Sequence, residues 1–175
     1  QIFAELKERN FFTENIYLTG DVPYHLGHSN KLKFNGNNID LSVSPHPSHL
    51  LTVAAYTMGK ARAKIEKNKQ YNADSVLCLQ MHTDAAFSGQ GLASELLQLS
   101  KLSGYSVNGS IHLIVNNKIG FTTTEDEARS SHYCTDIAKT IEAPILHVNG
   151  DDLDAIIHCV FLAVEYRKKF KSDIF

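Results

Sequence analysis

Two apolar runs separated by an amphipathic segment dominate the hydrophobic pattern of the chain. Val76 to Met81 and Ile111 to Val115 each predict a buried strand. Between them, a helix beginning near Ser88 is predicted by positions that recur at helical spacing, namely Leu92, Leu96, Leu99 and Ser103. Strand, helix and strand in this order predict an α/β fold with a mostly parallel sheet flanked by helices.

The segment before the first run predicts a hairpin and a helix. Asn35 to Asn38 has the composition of a turn, and the alternation from Ile39 to Ser44 is typical of a half-buried strand. Ser48 can cap a helix that extends to about Glu66. Its apolar positions are Leu50, Val53, Ala54, Ala61 and Ile65.

The segment after the second run contains further elements. Thr122 to Arg129 predicts an acidic, solvated loop, and a helix is expected to end near Glu142 before Pro144. Ile145 to Val148 predicts a short strand. The last helix starts after two aspartates and carries a predicted core stripe of Leu153, Ile156, Ile157, Val160, Phe161 and Val164.

Polar residues follow both central strands. If the strands are parallel, Asp84 and Asn117 leave the sheet at the same carboxyl edge, where ligands bind in open α/β sheets. A carboxylate, an amide oxygen and a backbone carbonyl from Lys118-Ile119 are hard donors that suit Mg²⁺. Helix amides near Ser88 favour phosphate oxygens. The residues therefore predict a Mg²⁺–diphosphate site, with a plain strand–turn–helix capped by Asp84 as the alternative.

The turn Gly89-Gln90-Gly91 raises the alternative of a dinucleotide-binding fold. Ser94 stands where the third glycine of that fingerprint is expected, and no Asp or Glu occurs from Leu96 to Thr124. No phosphate-binding loop of the G-x-x-x-x-G-K-[ST] type occurs either. These differences argue against a dinucleotide site.

Composition narrows the class of protein. The 175 residues predict a single domain over 1–175, and 43% hydrophobic residues are ordinary for a globular core. A net charge of −2 argues against nucleic-acid binding, and no run of eighteen apolar residues predicts a membrane span. Three isolated cysteines suit a reducing compartment. The chain does not start with methionine, so we expect a fragment of a longer chain.

Several motifs resemble one known family. Thr83 to Gly91 reads Thr-Asp-Ala-Ala-Phe-Ser-Gly-Gln-Gly, and Asn116 to Thr123 reads Asn-Asn-Lys-Ile-Gly-Phe-Thr-Thr. Gly20 to Gly27, His46 to Leu51 and Arg129 to Asp136 add three further motifs in the same order. Together they are similar to the decarboxylating first component of the 2-oxoglutarate dehydrogenase complex. This is a thiamine-diphosphate enzyme, and the match covers its diphosphate-binding half, from about Phe12 to Phe175.

The resemblance implies specific roles for individual residues. His25 and His49 would be catalytic, and we expect their rings to face the same cavity as Asp84. The metal ligands would be Asp84, Asn117 and the carbonyl of Ile119. The implied cofactor-binding residues are Ser48, Leu50, Asp84, Ala85, Ala86, Asn117 and Ile119.

The resemblance also implies an activity and its partners. These are oxidative decarboxylation of 2-oxoglutarate with thiamine diphosphate and Mg²⁺, then succinyl transfer to a lipoyl group on the succinyltransferase component. A homodimer in the bacterial cytoplasm or mitochondrial matrix is expected. Another thiamine-dependent 2-oxoacid dehydrogenase and a non-catalytic domain that binds cofactor or a partner are the alternatives. The aminopyrimidine and its activating glutamate belong to another domain, so we expect this chain alone to be inactive.

Overall fold

The computed structural model describes residues 23–46, 49–67 and 71–175. They fall into two compact units, one ending at His49 and the other running from Leu50 to Phe175. The prediction of a single domain over residues 1–175 stays a prediction. Within the described ranges, no helix is both long and apolar enough to cross a membrane.

The first unit is built on an antiparallel hairpin that confirms the predicted turn. β1 (His28–Phe34) pairs along its whole length with β2 (Asn37–Val43). Asn35 and Gly36 join them with φ values of 47° and 78°. Positive φ at both turn residues matches the twist of the flanking strands, and Asn-Gly supplies it at little steric cost.

The second unit contains the predicted parallel pair of strands. β3 (Cys78–Thr83) and β4 (Ser110–Val115) run parallel, with Thr83 opposite Val115 at the carboxyl edge. A long helix, α1 (Thr52–Lys67), precedes β3, while α2 (Asp84–Phe87) and α3 (Leu92–Leu99) connect it to β4. The α/β class is therefore confirmed, and its parallel part is this pair of strands in the described residues.

Two apolar clusters pack the second unit. In α1, buried positions recur every three or four residues at Ala54, Met58 and Ala61, as a helix with one covered face requires. One cluster lies around α3 and contains Leu51, Ala54, Phe87, Ala93, Leu97, Ala138, Ala143 and Phe175. The other lies between α1 and the start of β3 and contains Met58, Ala61, Val76, Cys78 and Val107.

A stack of buried rings continues the core beneath the sheet. His82 and His112 stack at 5.8 Å between ring centroids, and His112 stacks on Phe175 at 4.3 Å. The Nε2 atom of His112 lies 3.3 Å from the Oδ2 atom of Asp173, whose Oδ1 atom accepts from the Ser110 amide at 2.8 Å. The carboxylate therefore joins the start of β4 to the end of the chain.

The last two residues extend the sheet beyond β4. Ile174 pairs in parallel with Ile111, and the His112 amide donates to its carbonyl at 2.9 Å. The Phe175 amide donates to the Pro144 carbonyl, and the Leu146 amide donates to the Phe175 carbonyl. The segment predicted as a strand, Ile145 to Val148, forms no regular strand, and its contact with the sheet is made by these two hydrogen bonds in the described residues.

The C-terminal helix α5 (Leu153–Phe170) begins where the sequence predicts. The Oδ1 atom of Asp152 accepts from the Ala155 amide at 3.0 Å, which caps the helix. Near its other end, the buried Arg167 donates to the carbonyls of Gly109, Ala73, Val76 and Val107. This guanidinium joins α5 to the loops that precede β3 and β4.

The predicted core stripe of α5 is wrong for most of its members. Leu153, Ile157, Val160, Phe161 and Val164 are exposed, with Phe161 at 69%, and only Ile156 of the stripe is half-buried. The helix instead buries Ala163 and Arg167. The strand predicted to be buried from Val76 to Met81 is also covered on only one face, because Leu79 and Met81 are exposed.

Three other predicted elements differ from the structure. The acidic segment after Thr122 contains a short helix, α4 (Glu125–Ala128), closed by a capping box between Thr124 and Glu127. The helix expected to end near Glu142 is a 3₁₀ helix, Asp136–Ile141. The helix α1 begins at Thr52. Ser48, the predicted cap, lies outside the described residues, so its capping role stays a prediction.

Candidate functional site

The carboxyl edge of the parallel pair brings the two predicted metal loops together. Asp84 directly follows β3, and Asn117 follows β4 after one intervening residue. A Cβ atom added to Gly120 would lie 3.5 Å from the Cβ atom of Ala85, so the two loops are in van der Waals range. The edge geometry expected from the two apolar runs is therefore present.

The carboxylate of Asp84 is buried and only half satisfied. Asp84 is 4% exposed, and its Oδ2 atom accepts from the Nη1 atom of Arg129 at 3.3 Å. Its Oδ1 atom is buried and has no hydrogen-bond partner among the described residues. A buried carboxylate oxygen without a partner is costly and calls for a donor or a cation. This oxygen is the observation that best fits a metal ion at the site.

The loop after β4 is folded by its own asparagine. The Oδ1 atom of Asn117 accepts from the Ile119 amide at 3.1 Å, and the Asn117 amide donates to the Val115 carbonyl at 3.0 Å. Lys118, between them, has a φ of 58° in the left-handed region. The Ile119 side chain is exposed, in keeping with a role for its backbone carbonyl. An amide oxygen has two lone pairs, so Asn117 keeps one for another partner.

Leu50 contacts the glycine turn next to this edge. A Cβ atom at Gly89 would lie 2.6 Å from the Cδ1 atom of Leu50, so the end of the Leu50 side chain packs directly against this glycine. Leu50 itself has a φ of 47°, and Gln90 one of 60°. Left-handed backbone at residues other than glycine costs energy and concentrates at functional sites. The predicted cofactor residues Leu50, Ala85 and Ala86 thus lie in the second unit with Asp84.

The predicted helix start near Ser88 is wrong. Asp84 is the first residue of the short helix α2, and Ser88 ends it with its hydroxyl donating to the Ala85 carbonyl at 3.1 Å. The longer helix α3 begins only at Leu92, after Gly91 with a φ of 74°. The Gly-Gln-Gly sequence forms the break between the two helices, because Gly91 adopts a left-handed conformation with little strain. The Asp cap is also absent, since Thr83 is the residue before α2.

The predicted catalytic histidines belong to the first unit. His25 lies in a 3₁₀ helix, Pro23–Leu26, immediately before β1, and His49 comes after β2. A Cβ atom on Gly27 would lie 2.8 Å from the Pro45 ring, so the segments before β1 and after β2 meet at one end of the hairpin. Ser48 lies outside the described residues. The prediction that both rings face the cavity of Asp84 stays a prediction.

A chain of charged side chains around Asp84 was not predicted from the sequence. Glu125 contacts two cations. Its Oε1 atom accepts from the Nη2 atom of Arg129 at 2.5 Å, and its Oε2 atom lies 2.7 Å from the Nζ atom of Lys118. The hydrogen bond from Lys118 lowers the pKa of Glu125 and raises that of Lys118 itself. The acidic segment from Thr122 to Arg129, predicted as a solvated loop, therefore also forms ion pairs. The available signal was the spacing of four between Glu125 and Arg129, which pairs opposite charges on a helix.

The donor set at this edge fits a hard cation better than zinc. Among the described residues, no group of three His, Cys, Asp or Glu side chains is arranged to hold a metal ion. The predicted set needs only one such residue, Asp84, and takes its other oxygens from Asn117 and a backbone carbonyl. Magnesium typically takes few oxygen ligands from the protein and fills its remaining coordination positions with water and phosphate oxygens. Burial raises the pKa of the neighbouring Cys134 thiol, which disfavours a thiolate ligand there.

Known proteins similar to this chain agree with the motifs. The family described as "Dehydrogenase E1 component" matches residues 1–175. The "2-oxoglutarate dehydrogenase, mitochondrial" of Dictyostelium discoideum is 46% identical over 158 residues, which are 90% of this chain and 16% of that protein. The "2-oxoglutarate dehydrogenase E1 component" of Cupriavidus necator is 46% identical over 156 residues, 89% of this chain and 16% of that protein.

A third relative extends the match to nearly the whole chain. The "Multifunctional 2-oxoglutarate metabolism enzyme" of Mycobacterium sp. (strain JLS) is 48% identical over 179 residues, covering 99% of this chain and 14% of that protein. The chain therefore spans between 14% and 16% of the length of these relatives. The family match over residues 1–175 confirms the family expected from the motifs, and the chain belongs to the dehydrogenase E1 component family.

Proposed function

We propose that this chain is the diphosphate-binding part of the decarboxylating component of a 2-oxoglutarate dehydrogenase. The complete protein would oxidatively decarboxylate 2-oxoglutarate and transfer the succinyl group to a lipoyl group of the succinyltransferase component. Thiamine diphosphate and Mg²⁺ are the proposed cofactors. The observation that carries the proposal is the buried Oδ1 atom of Asp84 at the carboxyl edge of β3 and β4, which has no hydrogen-bond partner in the described part of the chain.

The residues at this edge suggest how the cofactor would be held. Asp84, Asn117 and the carbonyl of Ile119 would bind Mg²⁺, and the metal would hold the diphosphate oxygens. Ala85 and Ala86 are small and half-buried, which leaves space beside the metal, and Leu50 packs against the Gly89 turn. Holding the diphosphate at this end would fix the orientation of the cofactor. A reactant that is already oriented has a lower activation free energy, because its loss of translational and rotational entropy precedes the reaction.

The protein and the cofactor would divide the chemistry between them. When bound, thiamine diphosphate supplies the carbon chemistry of the decarboxylation, as cofactors of this kind do. His25 and His49 would hold or move protons and bind polar groups of the substrate, because imidazole changes its charge near neutral pH. Their assignment rests on the resemblance of the two histidine motifs, which also favours 2-oxoglutarate over other 2-oxoacids.

The complete protein is proposed to work as a homodimer in a multienzyme complex. Its fold here would be the diphosphate-binding half of a thiamine enzyme, with the aminopyrimidine held by another domain. The relatives include a mitochondrial protein and bacterial ones, so the bacterial cytoplasm or the mitochondrial matrix is the proposed location.

Calorimetric titration of the complete protein tests the metal assignment. We expect Asp84→Asn to abolish Mg²⁺-dependent binding of thiamine diphosphate, because it removes the only carboxylate among the proposed ligands. Ile119→Val is the matched control. It changes an exposed side chain beside the proposed carbonyl ligand, so the Kd should stay within about twofold of the unsubstituted protein.

The substrate is tested in parallel with ferricyanide as the electron acceptor. The complete protein should reduce ferricyanide with 2-oxoglutarate far faster than with pyruvate. Cofactor binding by Asp84→Asn that equals the unsubstituted protein would contradict the metal site. A preference for pyruvate would instead contradict the substrate while leaving the cofactor site in place.

A further inference from the structure

A chain of opposite charges connects the two loops of the proposed metal site. Asp84 follows β3 and pairs with Arg129, Arg129 pairs with Glu125, and Glu125 pairs with Lys118. Lys118 lies between Asn117 and Ile119, which contribute the other two proposed ligands. The ionic contacts therefore start at one ligand and end between the other two.

Arg129 leaves one particular oxygen of Asp84 available. Its Nη1 atom donates to Oδ2 at 3.3 Å, whereas the buried Oδ1 atom has no partner within the ranges that the structure describes. The side chains of Arg129 and Asp84 are 9% and 4% exposed, so water does not readily replace either partner. A carboxylate that is held through one oxygen presents the other oxygen in a defined direction. Hydrogen-bond partners behind metal-binding carboxylates orient their ligands in this way.

Glu125 in turn fixes the position of Arg129. It is the first residue of α4, whose start is held by the capping box of Thr124 and Glu127. Its Oε1 atom accepts from Arg129 at 2.5 Å, and its Oε2 atom is 2.7 Å from Lys118. Each oxygen of Glu125 thus serves a different cation. A guanidinium can bridge two carboxylates because its donors form a rigid fork, which an ammonium group lacks.

We propose that Arg129 is a positioning residue for the divalent metal, orienting Asp84 so that Oδ1 is the ligand atom, with Glu125 and Lys118 fixing Arg129 in place. The inference rests on the proposed function of this edge. Two other roles of Arg129 would give different results: stabilising the fold only, or competing through its positive charge with the metal for Asp84.

Direct measurement of metal affinity separates these roles. Mn²⁺ binding to the complete protein, followed by electron paramagnetic resonance with thiamine diphosphate present, reports the free ion without any turnover. We expect Arg129→Met to raise the Kd for Mn²⁺ by about 10- to 100-fold, the usual effect of losing an outer partner of a metal ligand. Arg129→Lys should give an intermediate Kd, because it keeps the charge without the fork.

Two further variants complete the comparison. Arg62→Met is the matched control, because Arg62 also pairs with a glutamate at a spacing of four, Glu66, but lies on α1. Its Kd should be unchanged. Glu125→Gln keeps Arg129 and weakens its support, so it should raise the Kd by less than Arg129→Met. It also tests the proposal if Arg129→Met does not fold.

The outcomes distinguish this inference from the proposed function. Unchanged Mn²⁺ affinity in Arg129→Met and Glu125→Gln, with a lower unfolding temperature in EDTA, would show a purely structural role. Tighter Mn²⁺ binding in Arg129→Met would show competition, and either result overturns the inference. Asp84→Asn serves as the reference: if it binds Mn²⁺ as well as the unsubstituted protein, the metal site itself is refuted, and the positioning role with it.

Discussion

Arg167 provides a sharp test of how the second unit is held together. Its guanidinium is buried, and in the described part of the chain its four hydrogen bonds all go to backbone carbonyls rather than to a carboxylate. Burial lowers the pKa of Arg167, but arginine remains charged at any physiological pH. The carbonyls belong to the loops before β3 and β4, so one side chain fixes where both strands begin.

The expected cost of removing this guanidinium is large. Three of its contacts are between 2.6 and 3.0 Å, and the fourth is 3.3 Å. A hydrogen bond to a charged group contributes about 1.5–3 kcal/mol, whereas burying the charge costs several kcal/mol. Arg167→Met regains the burial cost but leaves carbonyls without donors. We expect a net loss of about 3–5 kcal/mol, because each buried carbonyl left without a donor costs about 1–3 kcal/mol and the regained burial cost offsets only part of the sum.

Hydrogen exchange of the complete protein measures this loss locally. A loss of about 3–5 kcal/mol corresponds to roughly 10²- to 10⁴-fold faster exchange of the β3 and β4 amides, if they exchange through opening of this unit. Lys139→Met is the control, because its exposed pair with Asp136 should contribute no more than about 1 kcal/mol. Equal exchange of these strands in both variants would refute the role given to Arg167.

Three further predictions concern turnover, pH and the chain on its own. His25→Ala in the complete enzyme should lower kcat more than cofactor affinity, measured by steady-state kinetics and calorimetry, because the proposed metal ligands stay in place. Burial, with a smaller effect of His112, lowers the pKa of His82 from 6.5 to about 4. Between pH 6.5 and pH 4 the folded state therefore keeps this ring neutral while the unfolded chain takes up a proton. The free energy of unfolding should fall by up to about 3 kcal/mol over this range as the pH decreases. Unfolding curves between these pH values should show a shallower fall for His82→Gln, and an equal fall would contradict the assignment. The 175-residue chain alone, with thiamine diphosphate, Mg²⁺, 2-oxoglutarate and ferricyanide, should turn over more than tenfold more slowly than the complete enzyme; a rate within tenfold would contradict the division of the site between domains.

Local signals in the sequence predicted the elements that position the site. The two apolar runs located β3 and β4, and their parallel pairing places Asp84 and Asn117 at one edge. Asn35-Gly36 fixed the hairpin because few other dipeptides adopt positive φ at both positions. The acidic residues before α5 located its start, where Asp152 caps it. Each of these features depends on neighbours in the sequence, so a single sequence contains the necessary information.

The contacts that fix the site depend on residues distant in the sequence. Arg129 and Asp84 are separated by 45 positions, and Arg167 reaches back 94 positions to Ala73. Nothing in the spacing of either pair predicts contact, because long cationic side chains pair with whichever acceptor the fold brings near. The motif resemblance identified the proposed ligand Asp84, but its orienting partner was visible only once the loops were folded.

The hydrophobic pattern predicted which side chains favour burial, not which element covers them. In β3, Cys78, Gln80 and His82 point into the core, while Leu79 and Met81 are exposed on the other face of the sheet. Parallel sheets are ordinarily covered on both faces, which is why an apolar run such as Val76 to Met81 predicts a buried strand. The strand is present, but in the described residues only one of its faces is covered. In the described residues, the same distinction applies to α5, where Arg167 is buried and Phe161 is exposed. A polar side chain with enough backbone acceptors can thus occupy the interior, because hydrogen bonding rather than hydropathy decides whether its burial is tolerated.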